Sequence, residues 1–287
     1  MRPLTLQDAT VMVTGASSGL GVEFAHRLAA RGADLVLVAR RADRLAEVAA
    51  QIGSAHGVTV TTITMDLVRD DAGAALREEL SRRGITLTGL VNNAGFGLSG
   101  ALHQVEPARV REMVRLNVDS LVDVTTTFLP ELRASGRGIL VNVASLAAFQ
   151  PNPGLAAYGA SKAFVLNFTE ALWEESRAAG LRALALCPGP AKTEFFEVAG
   201  DAAGAGLPKM EPGAVVESAL KALERRNPPA AVVPGVANTA MSQLAKRLLP
   251  TRFVAGTVGA MMRRGQSGGE QSGDKQGGDG QGGGGRG

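Results

Sequence analysis

Tyr158 and Lys162 stand four residues apart, so on a helix they share one face. A free phenol titrates near ~10, too high for ready proton exchange at neutral pH. A neighbouring ammonium favours the phenolate and lowers that value. Such a pair can give a proton to a carbonyl oxygen or take one from an alcohol. Taken alone, a Tyr–Lys pair at this spacing is usually an exposed amphipathic pair. Here Tyr158 is the chain's only tyrosine, which makes the pair worth following. Ser145 comes just after the apolar run Ile139–Val143. A hydroxyl there can hydrogen-bond a substrate oxygen and stabilise charge developing on it, or it can simply cap a turn.

A second group of residues is built for an anion. Thr14-Gly15-Ala16-Ser17-Ser18-Gly19-Leu20-Gly21 follows the apolar run Val11–Val13. Gly15 permits a tight turn, while Gly19 and Gly21 let backbone approach a pyrophosphate and let helix pack on strand. The helix N-terminus then offers free N–H groups to the anion. Glycine turns between strand and helix are common, but this one sits after the first strand, where a dinucleotide binds. Its spacing is G-x-x-x-G-x-G rather than G-x-G-x-x-G.

The elements that must position these groups alternate. Apolar runs at Val11–Val13, Leu35–Val38, Val58–Met65, Leu90–Val91, Ile139–Val143, Leu181–Leu186 and Ala231–Val233 predict about seven strands. Between them, helices are expected over Gly19–Arg31, Asp43–Ile52, around Asn117, and over Leu155–Arg177. Near-continuous apolar strands separated by helices imply a parallel sheet covered on both faces. Right-handed crossovers make it an α/β, Rossmann-type doubly wound sheet. In such sheets the residue ending the second strand selects the cofactor. An acidic residue there accepts the ribose hydroxyls of NAD, while an arginine suits the 2′-phosphate of NADP. This chain reads Val38-Ala39-Arg40-Arg41. With no carboxylate in that stretch, Arg40 is expected to pair with the phosphate. NADP(H) is therefore expected over NAD(H).

These motifs together resemble the short-chain dehydrogenase/reductase superfamily. The turn Thr14–Gly21 matches its T-G-x-x-x-G-x-G, and Asn92-Asn93-Ala94-Gly95 its N-N-A-G. Ser145 with Tyr158 and Lys162 matches its serine and Y-x-x-x-K, Asn117 its helix asparagine, and Pro188-Gly189 its P-G turn. The resemblance covers about residues 8–235. It implies a carbonyl–alcohol oxidoreductase with Asn117, Ser145, Tyr158 and Lys162 as catalytic residues. It implies that Asn117 bends its helix and holds a water that relays protons to Lys162. It also implies cofactor contacts from Asn93 and Gly95 at the nicotinamide ribose, Asp66 at the adenine edge, and Pro188, Gly189 and Thr193 beside the nicotinamide. Residues Pro190 to Pro212 fall where the family has its substrate loop, with Phe195, Phe196 and Leu207 as large apolar groups and Lys192 reaching toward the cofactor. Two other readings stay open at this stage. One is a 3-hydroxy acid or 3-oxoacyl dehydrogenase, with Lys192 or Lys209 meeting a carboxylate. The other is a cofactor-binding sensor without catalysis, against which the complete Ser145–Tyr158–Lys162 set argues.

Composition narrows the partners. A net charge of +3 is scattered rather than striped, and the aromatic share is 4 %; neither suits a nucleic-acid binder. The single cysteine, Cys187, reads as a small buried residue and fits a reducing compartment. With no signal-like N-terminus and no long apolar run, a cytoplasmic location is expected. No metal is expected. Residues 1–236 read as the catalytic domain. Residues 237–264 read as two amphipathic helices broken at Pro250. They are expected to pack on the protein rather than to rest peripherally on a membrane. The glycine-rich residues 265–287 read as a disordered tail. The resemblance further implies a homodimer or homotetramer, with Phe164, Phe168 and Trp173 on the long helix available to a partner subunit.

Overall fold

Strand β2 (Asp34–Ala39) shows how the molecule is layered. Leu35 and Leu37 enter one apolar core, and Val36 and Val38 enter another. Successive side chains on a strand point to opposite faces, so a strand apolar at every position must be covered on both sides. The computed structural model describes residues 4–195, 208–235, 238–239, 252 and 255–260.

Around β2 lie β1 (Thr10–Thr14), β3 (Val60–Thr64), β4 (Gly89–Asn92), β5 (Ile139–Val143), β6 (Arg182–Leu186) and β7 (Ala231–Val232). They form one sheet in the order β3-β2-β1-β4-β5-β6-β7, and every pairing is parallel. This is the doubly wound sheet expected from the sequence. On one face Phe24 and Leu28 of α1 (Gly19–Ala29), Leu45 and Ile52 of α2 (Ala42–His56), and Val216 and Leu220 of a later helix fill the core. On the other face Leu76 of α3 (Ala72–Arg82), Phe128 of α5 (Ser120–Ala134) and Leu172 of α6 (Ala156–Ser176) do so. Helix α4 (Pro107–Val114) runs into α5 through a π-helical turn, Arg115–Asp119. Two helices were not singled out in the sequence. One is α3; the other, α7 (Pro212–Glu224), starts at the proline where the long loop was expected to end. Proline suits a first helical turn, because its missing N–H has no intrahelical partner there.

Between β4 and β5 the core is polar by design. Asn92 Nδ2 donates to Asn142 Oδ1 at 2.9 Å and to Thr125 Oγ1 at 2.8 Å, and Asn142 Nδ2 donates to Thr169 Oγ1 at 2.9 Å. This ladder ties both central strands to α5 and α6. Chain direction reverses across the sheet between β1 and β4, and a crevice opens at the carboxyl ends there.

Within the C-terminal region, residues 255–260 are helical. Most of 237–264, all of 265–287, and Phe196 and Leu207 lie outside the described residues. Among the described residues no helix is long and apolar enough to cross a membrane.

Candidate active site

The turn after β1 is shaped by glycine. Gly15 has φ +65°, a region that side chains disfavour. A Cβ on it would also lie 2.9 Å from the Ala94 Cα. A Cβ on Gly21 would land on the Gly15 carbonyl oxygen, so only glycine lets α1 start this close to β1. Asn93 holds the turn in place. Its Nδ2 donates to the carbonyls of Thr14 and Gly15 at 3.0 and 3.2 Å. Thr14 Oγ1 in turn accepts from the N–H groups of Asn93 and Ala94.

A cavity of about 540 Å³ runs along the carboxyl edge of the sheet. Gly15, Ser17, Ser18, Gly19 and Leu20 line it, as do Arg40, Asp66, Asn93, Gly95, Ser145, Tyr158, Lys162, Pro188, Gly189 and Thr193. Most residues expected at the site from sequence are thus brought to one cleft. Gly21 lies beneath it as packing, and Asn117 stands behind Gly95. A Cβ on Gly95 would fall 2.8 Å from Asn117 Oδ1 and 3.4 Å from Lys162 Nζ. This bare floor and the glycine turn fit a dinucleotide laid across the crevice.

The proton-active groups sit at one end. Ser145 is extended after β5, and its Oγ accepts from the Ala147 N–H at 3.1 Å. It caps a turn and lines the cleft together with Tyr158. Lys162 is buried, with its Nζ donating to the Val143 carbonyl at 2.8 Å and lying 6.0 Å from the Tyr158 ring centroid. One expectation is corrected here. Burial pushes the Tyr158 phenol up to about 12, and the hydrogen bond with Ser145 pulls only partly against it. Burial outweighs the lowering expected from the ammonium, and the Lys162 Nζ points its hydrogen bond at the Val143 carbonyl. Burial also lowers Lys162 itself to about 8, with the electrostatic influence of nearby Cys187 acting the other way. Cys187 is buried, as expected of a packing residue.

Asn117 occupies the π-helical turn. Its side chain meets both polar groups of Phe96 and donates to Ser161 Oγ at 3.1 Å. A π-turn is a widening of a helix that recurs at functional sites, and it agrees with the expected bend. Asp66 Oδ1 accepts from the Val68 N–H at 3.0 Å, holding the loop after β3 beside the cleft.

The end of β2 departs from expectation. Arg40 is exposed and lines the cavity, but Arg41 is the arginine engaged with the turn. Its Nε donates to Ser17 Oγ at 3.2 Å, and its Nη2 donates to the Ser17 carbonyl at 3.3 Å and to Glu194 Oε2 at 3.0 Å. The stretch Val38–Arg41 holds no carboxylate, yet one arrives from 153 positions away. Thr193 packs on Gly19, and the Phe195 ring lies 5.5 Å from that of Tyr158. Lys192 does not reach the cavity, because it is paired with Glu211.

Several lining residues were missed in the sequence. Phe96, Arg109, Glu112, Gln150, Leu155 and Val258 form the end of the cavity around Tyr158. They lie on separate elements and share no motif. Val258 packs in the apolar cluster of Met113, Leu155 and Tyr158. Of the three aromatics expected for a partner, Phe164 is exposed. Phe168 and Trp173 pack on the core, and Trp173 Nε1 donates to the Pro228 carbonyl.

Comparison with known proteins agrees with this geometry. Residues 9–203 match the short chain dehydrogenase family. Sulfoacetaldehyde reductase 2 of Chromohalobacter salexigens is 39 % identical over 187 residues, 64 % of this chain and 73 % of that protein. A short-chain dehydrogenase from Sphingobium yanoikuyae in complex with NADPH superposes with a TM-score of 0.73 at 33 % identity, covering 84 % of this chain and 96 % of that one. The 3-ketoacyl-(acyl-carrier-protein) reductase from Brucella melitensis complexed with NADH superposes with a TM-score of 0.69 at 29 % identity, covering 80 % and 97 %. The family match over residues 9–203 and the shared doubly wound sheet lead to one conclusion: the chain belongs to the short-chain dehydrogenase family of oxidoreductases.

Proposed function

We propose that the protein is an NADP(H)-dependent oxidoreductase interconverting a carbonyl and an alcohol. Ser145, Tyr158 and Lys162 act at the reacting oxygen, with Asn117 behind them. The observation that carries this reading is that Ser145, Tyr158 and Lys162 line the same cleft as the glycine turn. A bound nicotinamide supplies or accepts the hydride. Ser145 Oγ holds the substrate oxygen and stabilises its developing charge. The Tyr158 hydroxyl, kept protonated by burial, donates its proton to that oxygen during reduction. Lys162 binds the cofactor ribose and keeps positive charge beside the phenol, and Asn117 connects it to the proton relay. Gly15, Ser17, Ser18, Gly19 and Leu20 receive the pyrophosphate at the start of α1. Asp66 meets the adenine; Asn93, Gly95, Pro188, Gly189 and Thr193 surround the nicotinamide half.

The preference for NADP(H) is supported by two arginines, Arg40 and Arg41, at the end of β2, and by the relative that holds NADPH. The substrate is a small or medium-sized carbonyl compound with an apolar body, received among Phe96, Leu155, Phe195 and Val258. A second reading, a 3-oxoacyl or 3-hydroxy acid substrate, is favoured by Arg109 at the cavity wall, although Arg109 is paired with Glu112. The protein is further proposed to act as a homodimer or homotetramer, with Phe164 on the outer face of α6 at the contact. The deciding experiment is turnover with NADPH and with NADH over a panel of ketones, aldehydes and 3-oxoacyl thioesters. The reading predicts turnover that is faster with NADPH, and turnover lowered about 10²–10⁴-fold by Tyr158→Phe. No reduction of any carbonyl would return the protein to the non-catalytic sensor reading.

A further inference from the structure

The Arg41–Glu194 ion pair joins two parts of the cleft that the sheet keeps far apart. Arg41 follows β2 and Glu194 follows β6, with β1, β4 and β5 between them. At about 4.8 Å per strand, those strands lie roughly 19 Å apart. Both residues line the same cavity, and Arg41 rests at the same time on Ser17 of the glycine turn. Thr193, one residue before Glu194, packs on Gly19 of that turn. The carboxylate is thus held where the cofactor's adenosine ribose belongs, at the end of β2 beside the turn.

We propose that Glu194 is an internal competitor for the cofactor's 2′-phosphate at Arg41, and so sets how strongly the protein prefers NADP(H) over NAD(H). This rests on the NADP(H) reading above. An arginine can offer a planar fork to one oxyanion group, and in this structure Glu194 holds one arm of it at 3.0 Å. The side chains are 48 % and 41 % exposed, and an ion pair so wet is weak. A phosphate monoester carries about −1.5 to −2 charge and three acceptor oxygens, so it displaces the carboxylate. The displacement still costs the pair, and NADP(H) affinity is lowered by that amount. NAD(H) carries no 2′-phosphate and leaves the pair intact. Arg40, which no carboxylate among the described residues engages in this way, supplies the remaining charge. The design makes phosphate recognition reversible and ties the residues next to Phe195, which touches Tyr158, to the state of the ribose subsite.

The test is equilibrium binding to the full chain, read by nicotinamide fluorescence or calorimetry, without turnover. The ligands are NADPH, NADH, adenosine 2′,5′-bisphosphate and AMP. The proteins are wild type, Glu194→Gln, Arg41→Ala and the double variant. Glu194→Gln is expected to tighten NADPH and the bisphosphate about threefold to fivefold and to leave NADH and AMP within twofold. In the Arg41→Ala background the same change is expected to have no effect, since the competition has lost its object. Equal tightening of NADH, or an undiminished effect without Arg41, would mean general repulsion and overturn the proposal. Weaker NADH binding by Glu194→Gln would make Glu194 a ribose hydrogen-bond acceptor and also overturn it. Unchanged NADPH affinity does the same. The cofactor reading is judged separately, from wild type alone: it fails if NADH binds as tightly as NADPH. A shift of the NADPH-to-NADH ratio in Glu194→Gln would uphold the competition even then.

Discussion

The carboxamide of Asn117 brackets the backbone of Phe96. Its Nδ2 donates to the Phe96 carbonyl at 3.0 Å, and its Oδ1 accepts from the Phe96 N–H at 3.1 Å. One buried side chain thus ties the π-turn between α4 and α5 to the segment after β4 that forms the cleft floor. Replacing it by alanine removes the partner of two part-buried backbone groups, at a cost of about 1 kcal/mol. Asn117→Ala should therefore lower Tm and also weaken cofactor binding, because Gly95 adjoins Phe96. Calorimetric melting and a binding titration check both, and a variant with wild-type values in each would show the bracket to be dispensable.

Tyr158→Phe should reduce turnover by about 10²–10⁴-fold, the range of general acid–base catalysis, while NADPH still binds. The pH dependence follows from the phenol's position near about 12. The proton-donating form is present below that value and the accepting form above it. Carbonyl reduction should accordingly be insensitive to pH around neutrality, while alcohol oxidation should climb as pH rises. Initial rates in both directions across a buffer series test this, and a flat oxidation profile would count against the phenol as base.

Lys162 should carry a stability cost. Its folded value, about 8, lies below the usual 10.5 because burial disfavours the ammonium. Between those values the folded state binds fewer protons than the unfolded state, so stability rises with pH there and falls as pH drops through about 8. Lys162→Met removes this dependence. The variant's stability relative to wild type should be greatest at neutral pH and decline toward pH 10.5, as read from urea midpoints. A constant difference would show that the lysine is not held against its charge.

Arg40→Ala should weaken NADPH binding roughly ten- to a hundredfold while sparing NADH, since one charge-assisted contact is on the order of 1.5–3 kcal/mol. Side-by-side titration of the two nucleotides measures it. Equal loss for both would place Arg40 at the diphosphate or in the fold instead.

Val258→Ala should enlarge the substrate end of the cleft, because Val258 packs against Met113, Leu155 and Tyr158. Bulky ketones should gain in kcat/KM relative to small ones, with cofactor affinity unchanged. An unaltered substrate profile would remove Val258 from the pocket wall.

The sequence by itself determined the sheet and the cradle. Apolar runs such as Leu35–Val38 can only be buried on both faces, and Gly21 answers a steric demand made by the Gly15 carbonyl six residues before it. Tyr158, Lys162 and Ser145 were legible for the same reason, since their spacing and their place after a strand are local facts. Only the tertiary structure decided which groups face one another across the crevice. Arg40 and Arg41 are adjacent and chemically alike, yet Arg41 alone meets Ser17, because the start of α2 turns its side chain toward β1. Glu194 reaches it from the far half of the sheet, and Val258 reaches Tyr158 from the C-terminal region. The protonation states were decided there too. Whether Lys162 lowers the Tyr158 phenol depends on how deeply both are buried and on which oxygen the ammonium takes. The burial and the Val143 carbonyl come from parts of the fold that the four-residue spacing does not contain.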